Sequence, residues 1–206
     1  MLRRTATTAL LLLLLATGKA SAYAESPKQA LQRTQDRINK LLKIKATKGT
    51  AKDKQVQADL TRTINTFLDF GELARRSMAA HWGKRTEQER AEFTEVLREL
   101  IERNYVKQLR GNLGYKLVYG EEKVAGETAS VKTAVKVVKD RRTTEVVIEY
   151  KMKKASKGWM VYDVVTDDVS IVRNYRSQFN RIIKRNSYDH LVKKMRNKIK
   201  ELDTSS

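Results

Sequence analysis

The stretch that decides the fold is 130-SVKTAVKVVKDRRTTEVVIEYKM-152. Apolar or hydroxyl-bearing side chains alternate with charged or small ones from Val131 to Val137, and again from Val146 to Met152. A period of two residues is typical of a β-strand with one dry face and one wet face. The polar break at Asp140–Arg142 predicts a short turn, so the two strands are expected to pair antiparallel.

Two further strands are predicted on either side of this pair. Residues 115–119 alternate in the same way, and Trp159–Val165 is apolar on both faces. Ser156-Lys157-Gly158 forms the turn before the last of them. Four strands joined by short turns favour an antiparallel meander.

Helices are predicted before and after these strands. Ser26–Gln29 has the pattern of a capping box, Asp69 can cap another helix, and Thr86–Glu89 opens the most strongly amphipathic one. A Lys-rich turn is expected between Lys40 and Lys54, and two helices follow the last strand. The predicted fold class is α+β, with N-terminal helices, a curved antiparallel sheet of four or slightly more strands, and C-terminal helices.

Composition excludes several kinds of chemistry. The 206 residues contain no Cys and two His, which excludes thiol nucleophiles, disulfides and Cys-ligated metals, and we expect no metal site. Neither a P-loop, a dinucleotide fingerprint nor a Gly-x-Ser-x-Gly elbow occurs, so no cofactor is expected. A small pocketed α+β enzyme with Asp163 as its acid or base stays an alternative. Otherwise Asp163 pairs with an Arg, and Asp167 and Asp168 form a solvated turn and helix cap.

The N-terminus has the pattern of an export signal. Arg3 and Arg4 precede the apolar run Ala9–Ala16, and Ala20-Ser21-Ala22 fits a cleavage site. We therefore expect residues 1–22 to be a cleaved signal peptide, with cleavage after Ala24 as the alternative, and residues 23–206 to be a single domain. The apolar run is much shorter than the ~20 residues that span a bilayer.

The charge is strongly positive. The chain has 43 Lys and Arg against 24 Asp and Glu, a net charge of +19, and residues 171–200 contain ten cations and one acid. Export argues against nucleic acid as the partner, which leaves anionic lipid headgroups, envelope polymers and acidic proteins. A basic module that binds an envelope polymer or a protein is therefore a second functional alternative.

Two signatures resemble those of a known family. The first comprises Asp69-Phe70, Leu73–Ser77, Trp82, Arg85-Thr86 and Phe93; the second comprises Gly158-Trp159, Val161–Val164, Val169–Val172 and Asn174–Phe179. In this order they resemble the MlaC family, periplasmic phospholipid-binding proteins also called toluene-tolerance auxiliary components of the Mla ABC transport system. One departure is Asp168, where the family usually has Gly before Val-Ser.

The resemblance implies a function in lipid transport that maintains outer-membrane lipid asymmetry. Such a protein is a soluble periplasmic carrier, not an enzyme, with bound phospholipid as cargo in an apolar cavity between helices and sheet. The implied partners are an inner-membrane ABC transporter complex of the Mla type and an outer-membrane lipoprotein–porin complex, with transient membrane contact. A monomer that binds no nucleic acid is expected.

Lipid tails are then expected to contact the dry strand face and the helix sides that cover it. The predicted tail-lining residues are Leu117, Val131, Val135, Val137, Ile148, Tyr150 and Val161 from strands and Leu97, Ile101, Tyr105, Leu109, Tyr175 and Phe179 from helices. Arg173 and Arg176 are predicted to bind the headgroup on grounds of charge and position.

Overall fold

The strands form one antiparallel sheet in which sequence neighbours are also spatial neighbours. The computed structural model describes residues 25–111, 117–139 and 142–204, with side chains for all of these except 105–111, 137–139 and 142–144. The five strands lie in the order β1-β2-β3-β4-β5. Their bounds are β1 Leu117–Ala125, β2 Thr128–Lys139, β3 Arg142–Ala155, β4 Gly158–Thr166 and β5 Val169–Ser170. The predicted sheet is confirmed, with the two-residue β5 added at its edge.

The register confirms the predicted alternation. Val131 lies opposite Tyr150 on β3, and Val135 lies between Leu117 on β1 and Val146 on β3. The register shifts once between Tyr119 and Glu122 and once between Lys151 and Met152. Irregularities of this kind bend a strand and increase its twist, which gives the sheet a curved dry face.

Six α-helices flank the sheet in the described residues, and three of them begin as the sequence predicts. Their bounds are α1 Pro27–Leu42, α2 Ala51–Phe67, α3 Phe70–Met78, α4 Glu87–Gly111, α5 Ile171–Arg185 and α6 Tyr188–Thr204. Ser26 and Gln29 form the reciprocal capping box of α1, and Asp69 accepts a hydrogen bond from the Glu72 amide at 2.9 Å. The Thr86 amide donates to the Glu89 carboxylate at 2.7 Å in the second box.

α1 packs across the dry face of the sheet. Its Ala30 and Leu31 lie against β2, β3 and β4 in a cluster that we call the sheet core. The buried sheet members of this core are Ala129, Val131, Met152 and Val161. Small and branched side chains at this crossing let the helix approach the strands closely.

A second, larger cluster, the helical core, joins α3, α4, α5 and α6. Phe93 of α4 contacts Phe179 of α5 edge to face at a centroid distance of 5.5 Å, and Tyr175 stacks on Phe179 at 5.2 Å. Leu68 packs against both the helical core and the sheet core. The four helices therefore form a bundle that meets the sheet at the junction between α2 and α3.

Glu72 links α3 to the sheet. Its buried carboxylate accepts hydrogen bonds from Arg75 at 2.6 Å and Arg76 at 2.7 Å, and the Arg76 guanidinium lies 4.1 Å from the centroid of the Tyr162 ring. The Arg75 hydrogen bond is the main reason that the pKa of Glu72 falls to about 2. The ion pair is therefore charged throughout the neutral and mildly acidic range.

Glu72→Gln should lower the free energy of unfolding by about 2 kcal/mol near neutral pH. Because the pKa of Glu72 is lower in the folded state than its ordinary value of 4.5, the carboxylate stabilises the fold above 4.5 and loses this effect as the pH falls towards 2. Urea denaturation of both proteins near pH 7 and about pH 3 measures the difference, which should shrink on acidification. Glu95→Gln, which alters an exposed pair with Arg98, is the control and should cost less than ~1 kcal/mol. A pH-independent difference for Glu72→Gln would contradict the charge assignment.

The turn between β4 and β5 contains two consecutive residues with positive φ. Asp167 has φ +47° and Asp168 has φ +62°. Two positive values are the requirement of a type I′ hairpin turn, and Gly adopts them without the steric cost that Cβ imposes. The backbone at residue 168 therefore has the conformation that Gly adopts most easily, although the residue in this chain is Asp.

Asp168→Gly should raise the free energy of unfolding by about 0.5–1 kcal/mol, because the left-handed conformation no longer carries a Cβ penalty. Thermal or urea denaturation checks this value. Asp168→Val should be destabilised relative to the unchanged protein, since a β-branched residue is the least tolerant of positive φ. Equal stability of the Gly and Val variants would show that φ strain is not the cause.

Candidate functional site on the dry face of the sheet

The dry face is covered unevenly. Under α1, Val131 and Met152 are 0% exposed and Val161 is 1% exposed. Further along the same face, Leu117, Val146 and Ile148 are only half-buried although they are fully apolar. We call this second region the open end of the dry face. It is apolar surface that the described helices cover in part.

The hydroxyl groups of Thr133, Tyr119 and Tyr150 are polar side-chain groups at paired dry-face positions. Burial raises the pKa of Tyr150 to about 12, and it raises the pKa of Tyr119, with the nearby Asp36 carboxylate as a second cause. Both hydroxyls therefore stay protonated at neutral pH. These positions carry neutral hydrogen-bond donors, an arrangement suited to a largely apolar ligand with a few polar groups.

α1 is fixed to the sheet at its N-terminal end. The Glu122 carboxylate, at the bulge of β1, accepts a hydrogen bond from the Lys28 amide at 3.1 Å. A carboxylate at this position also stabilises the positive end of the helix dipole. At its C-terminal end α1 packs on α2 through Ile38, Val56 and Leu60. The cover over the sheet is therefore anchored at one end and supported by a second helix at the other.

The strand members of the predicted tail-lining set come together. Val131 and Val161 are buried in the sheet core, and Tyr150 packs against it. The register puts Leu117, Val135 and Ile148 on the same face of the sheet. Val137 lies in β2, with its side chain outside the described part of the structure. The strand residues with described side chains share one surface, and their contact with lipid stays a prediction.

The helix members lie elsewhere. Leu97, Ile101, Tyr175 and Phe179 belong to the helical core, which is a different cluster from the sheet core. Tyr105 and Leu109 lie in α4, with side chains outside the described residues. Among the described side chains, Ala30 and Leu31 of α1, Phe67 of α2 and Leu68 after it pack on the dry face. The sequence signal for Ala30 and Leu31 is the narrow apolar stripe of α1, which resembles the stripes of the other helices.

The two predicted headgroup arginines are both exposed on α5. Arg173 donates to the backbone carbonyl of Asp168 at 2.6 Å, and Arg176 donates to the carbonyl of Arg76 at 3.0 Å. Asp168 lies two residues after Thr166, and Thr166 lies opposite Ile148 in the sheet. The hydrogen bond to Asp168 therefore puts Arg173 near the open end of the dry face. Arg176 lies beside the C-terminal half of α3.

Asp163 has a structural role. Its buried carboxylate accepts a hydrogen bond from the Ser170 hydroxyl at 2.7 Å and another from the Val172 amide at 3.1 Å. Ser170 in turn accepts from the Arg173 amide and caps α5. The expected Arg partner is therefore replaced by a serine and a helix N-terminus. Both carboxylate oxygens are used to join α5 to β4.

Two hollows of about 640 Å³ each are lined by residues outside the strands. One is between α4 and α6, beside Tyr188 and Arg196, and the other is at the turn between α1 and α2, beside Leu42 and Ile44. Within residues 25–111, 117–139 and 142–204, the acidic and histidine side chains form no cluster suited to a metal ion. In the same ranges, the length and apolar character needed to cross a membrane are not combined in a single helix.

Comparison with known proteins gives concordant matches. The chain is 20% identical over 178 residues to the intermembrane phospholipid transport system binding protein MlaC of Haemophilus influenzae. This alignment covers 85% of this chain and 83% of that protein. The fold of this chain is similar to that of a phospholipid-binding protein from Ralstonia solanacearum solved in complex with a phospholipid, with a TM-score of 0.71 and 19% identity. The superposition covers 86% of this chain and 99% of that one. A family model described as MlaC protein matches residues 32–197, and the chain therefore belongs to the MlaC family.

Proposed function

We propose that the protein is a periplasmic phospholipid carrier that shields the tails of its cargo on the dry face of the sheet. The observation that carries this proposal is the uneven cover of that face. Leu117, Val146 and Ile148 present half-buried apolar surface next to a fully buried sheet core. Membership of the MlaC family and the lipid-bound relative of the same fold support it.

Tail shielding is the physical requirement of such a carrier. Each methylene transferred out of water contributes ~0.8 kcal/mol, so two tails of ~16 carbons represent on the order of 20–25 kcal/mol. A lipid leaves a bilayer at a useful rate only if a protein surface replaces the lost hydrocarbon contacts. A concave apolar sheet under a helix that is anchored at one end can widen to take up the chains.

The tail site is assigned to the strand residues first. Leu117, Val131, Val135, Ile148 and Tyr150 share the dry face, and Val137 and Val161 extend it along β2 and β4. Movement of α1 or of the helical bundle would bring Leu97, Ile101, Tyr105, Leu109, Tyr175 and Phe179 to the same ligand. Arg173, near the open end, is the better candidate for a phosphate, and Arg176 is the second.

The route of the lipid follows from export and from the family. Residues 1–22 are proposed as a cleaved signal peptide and residues 23–206 as the single periplasmic domain. The partners are an inner-membrane Mla-type ABC transporter and an outer-membrane lipoprotein–porin complex, with transient membrane contact and a monomeric carrier between them. The carrier's own step is to bind, shield and release its cargo, with no catalytic step.

Lipid extraction tests the proposal. Protein purified from the periplasm should contain about one phospholipid per chain, as measured by native mass spectrometry and by phosphate analysis of a solvent extract. Delipidated protein should take up labelled phospholipid from vesicles. Lipid-free protein that also takes up no lipid from vesicles would rule out the carrier function.

A further inference from the structure

The turn between α1 and α2 concentrates positive charge. Residues 40–54 contain six lysines and one acid, Asp53. All six lysines are exposed, whereas Asp53 is 1% exposed. The Asp53 carboxylate accepts hydrogen bonds from the Gly49 amide at 3.0 Å and from Gln57 at 2.9 Å. The exposed charged residues of this turn are therefore all lysines, because its one acid is buried.

Apolar surface lies in the middle of these charges. Ile44 is 38% exposed, and the Leu41 and Leu42 side chains are half-buried beside it. Together with Val56 of α2 they border the hollow of about 640 Å³. An exposed apolar side chain ringed by lysines is the pattern of a segment that lies in the interface of an anionic bilayer.

The turn is also preformed. The Thr50 hydroxyl donates to the Thr47 carbonyl at 2.8 Å. The Thr50 hydroxyl oxygen also accepts a hydrogen bond from the Asp53 amide at 3.3 Å and so caps α2. A turn held by its own hydrogen bonds loses little conformational entropy when it docks.

Its location relates it to the open end of the dry face. α1 starts at Glu122 of β1, and the Asp36 carboxylate is near enough to Tyr119, the next dry-face position towards Leu117, to raise the pKa of its hydroxyl. Six further residues carry the helix about 9 Å beyond Asp36. Continued in this direction, α1 brings the lysines beyond Tyr119 on the side of Leu117, where the dry face is only partly covered.

We propose that this turn, residues Lys40–Lys54, docks the protein on the surface of an anionic phospholipid bilayer, with the open end of the dry face turned towards the lipid. The inference builds on the proposed carrier function, because a tail-shielding face gains from being held at a membrane. Charge complementarity selects the partner, and Ile44 inserts between headgroups. Each lysine near an anionic surface strengthens binding roughly fivefold, and salt weakens the effect.

Flotation with vesicles of phosphatidylglycerol and phosphatidylcholine tests the site. The combined variant Lys43→Gln, Lys45→Gln and Lys52→Gln should bind at least ~100-fold more weakly at low salt, following from roughly fivefold per lysine. Ile44→Ser should weaken binding several-fold and should do so at high salt as well. Pure phosphatidylcholine vesicles should bind the unchanged protein weakly.

The matched control removes three exposed cations from the C-terminal helices, as Lys184→Gln, Lys194→Gln and Lys200→Gln. It should bind within a few-fold of the unchanged protein, because these charges lie outside the docking turn. Equal losses in the two triple variants would overturn the assignment, as would binding that does not depend on phosphatidylglycerol. Failure of the unchanged protein to bind vesicles would also overturn it and would leave an acidic protein as the occupant of this surface.

The lipid content of each purified variant separates this inference from the carrier function. The turn variants should still contain phospholipid, since the dry face is intact. A protein that contains no lipid and takes up none from vesicles, but still floats with anionic vesicles, would refute the carrier function and leave the docking surface in place.

Discussion

Ile148→Asp is expected to reduce the phospholipid that purifies with the protein by about tenfold or more. The side chain lies at the open end of the dry face, opposite Thr133 on β2 and Thr166 on β4. A carboxylate there would have to lose its hydration against an acyl chain, which costs several kcal/mol, and ~1.4 kcal/mol already corresponds to a tenfold loss of affinity. In the lipid-free protein the same carboxylate stays partly hydrated, because Ile148 is only half-buried.

The neighbouring residue provides a matched control. Val147 is 45% exposed on the opposite, wet face of β3. Val147→Asp introduces the same charge into the same strand and should leave the lipid content unchanged. Phosphate analysis of solvent extracts and native mass spectrometry measure both variants, and circular dichroism checks that each is folded. Equal lipid content in two folded variants would contradict the assignment of the tails to this face.

Asp163→Ala is expected to lower the free energy of unfolding by about 3 kcal/mol. The substitution leaves the Ser170 hydroxyl and the Val172 amide without their buried acceptor, and each unsatisfied group costs about 1–3 kcal/mol. It also removes a negative charge from the N-terminus of α5. Urea denaturation followed by circular dichroism gives the value directly.

Two related variants define the cause. Asp163→Asn keeps an oxygen that can accept from the Val172 amide and should cost less than the Ala variant. Ser170→Ala removes one of the two donors, and in combination with Asp163→Ala the losses should be less than additive. A fully stable Asp163→Asn protein that had lost an enzymatic turnover would support a catalytic Asp163 and contradict the capping role.

Much of the sheet can be predicted from the sequence because its signal is local. The side chains of Val131, Val135 and Ile148 face one way since successive residues of a strand point to opposite faces. The caps at Ser26, Asp69 and Thr86 are equally local, because each satisfies an amide within three residues. β5 escapes prediction, since a two-residue strand has no period.

The helix that covers the dry face cannot be identified in the same way. α1, α4 and α5 each carry an apolar stripe. Such a stripe predicts that one face of the helix is buried, but it does not indicate which surface of the protein covers that face. The stripes therefore predict that helix residues such as Leu97 and Phe179 cover the sheet. In the structure these residues pack in the helical core. The predicted Arg partner of Asp163 is wrong for a similar reason, because Ser170 reaches the carboxylate only through the turn at Asp167 and Asp168.

The sequence by itself determined the strand faces, the helix starts, the excess of positive charge and the resemblance to a family, all of which depend on residue type and short spacing. Only the tertiary structure decided that α1 lies on the sheet and that Glu122 anchors it. The physical reason is that these contacts join residues far apart in the chain. Their energy comes from the fit between surfaces, and a periodic pattern does not contain that information.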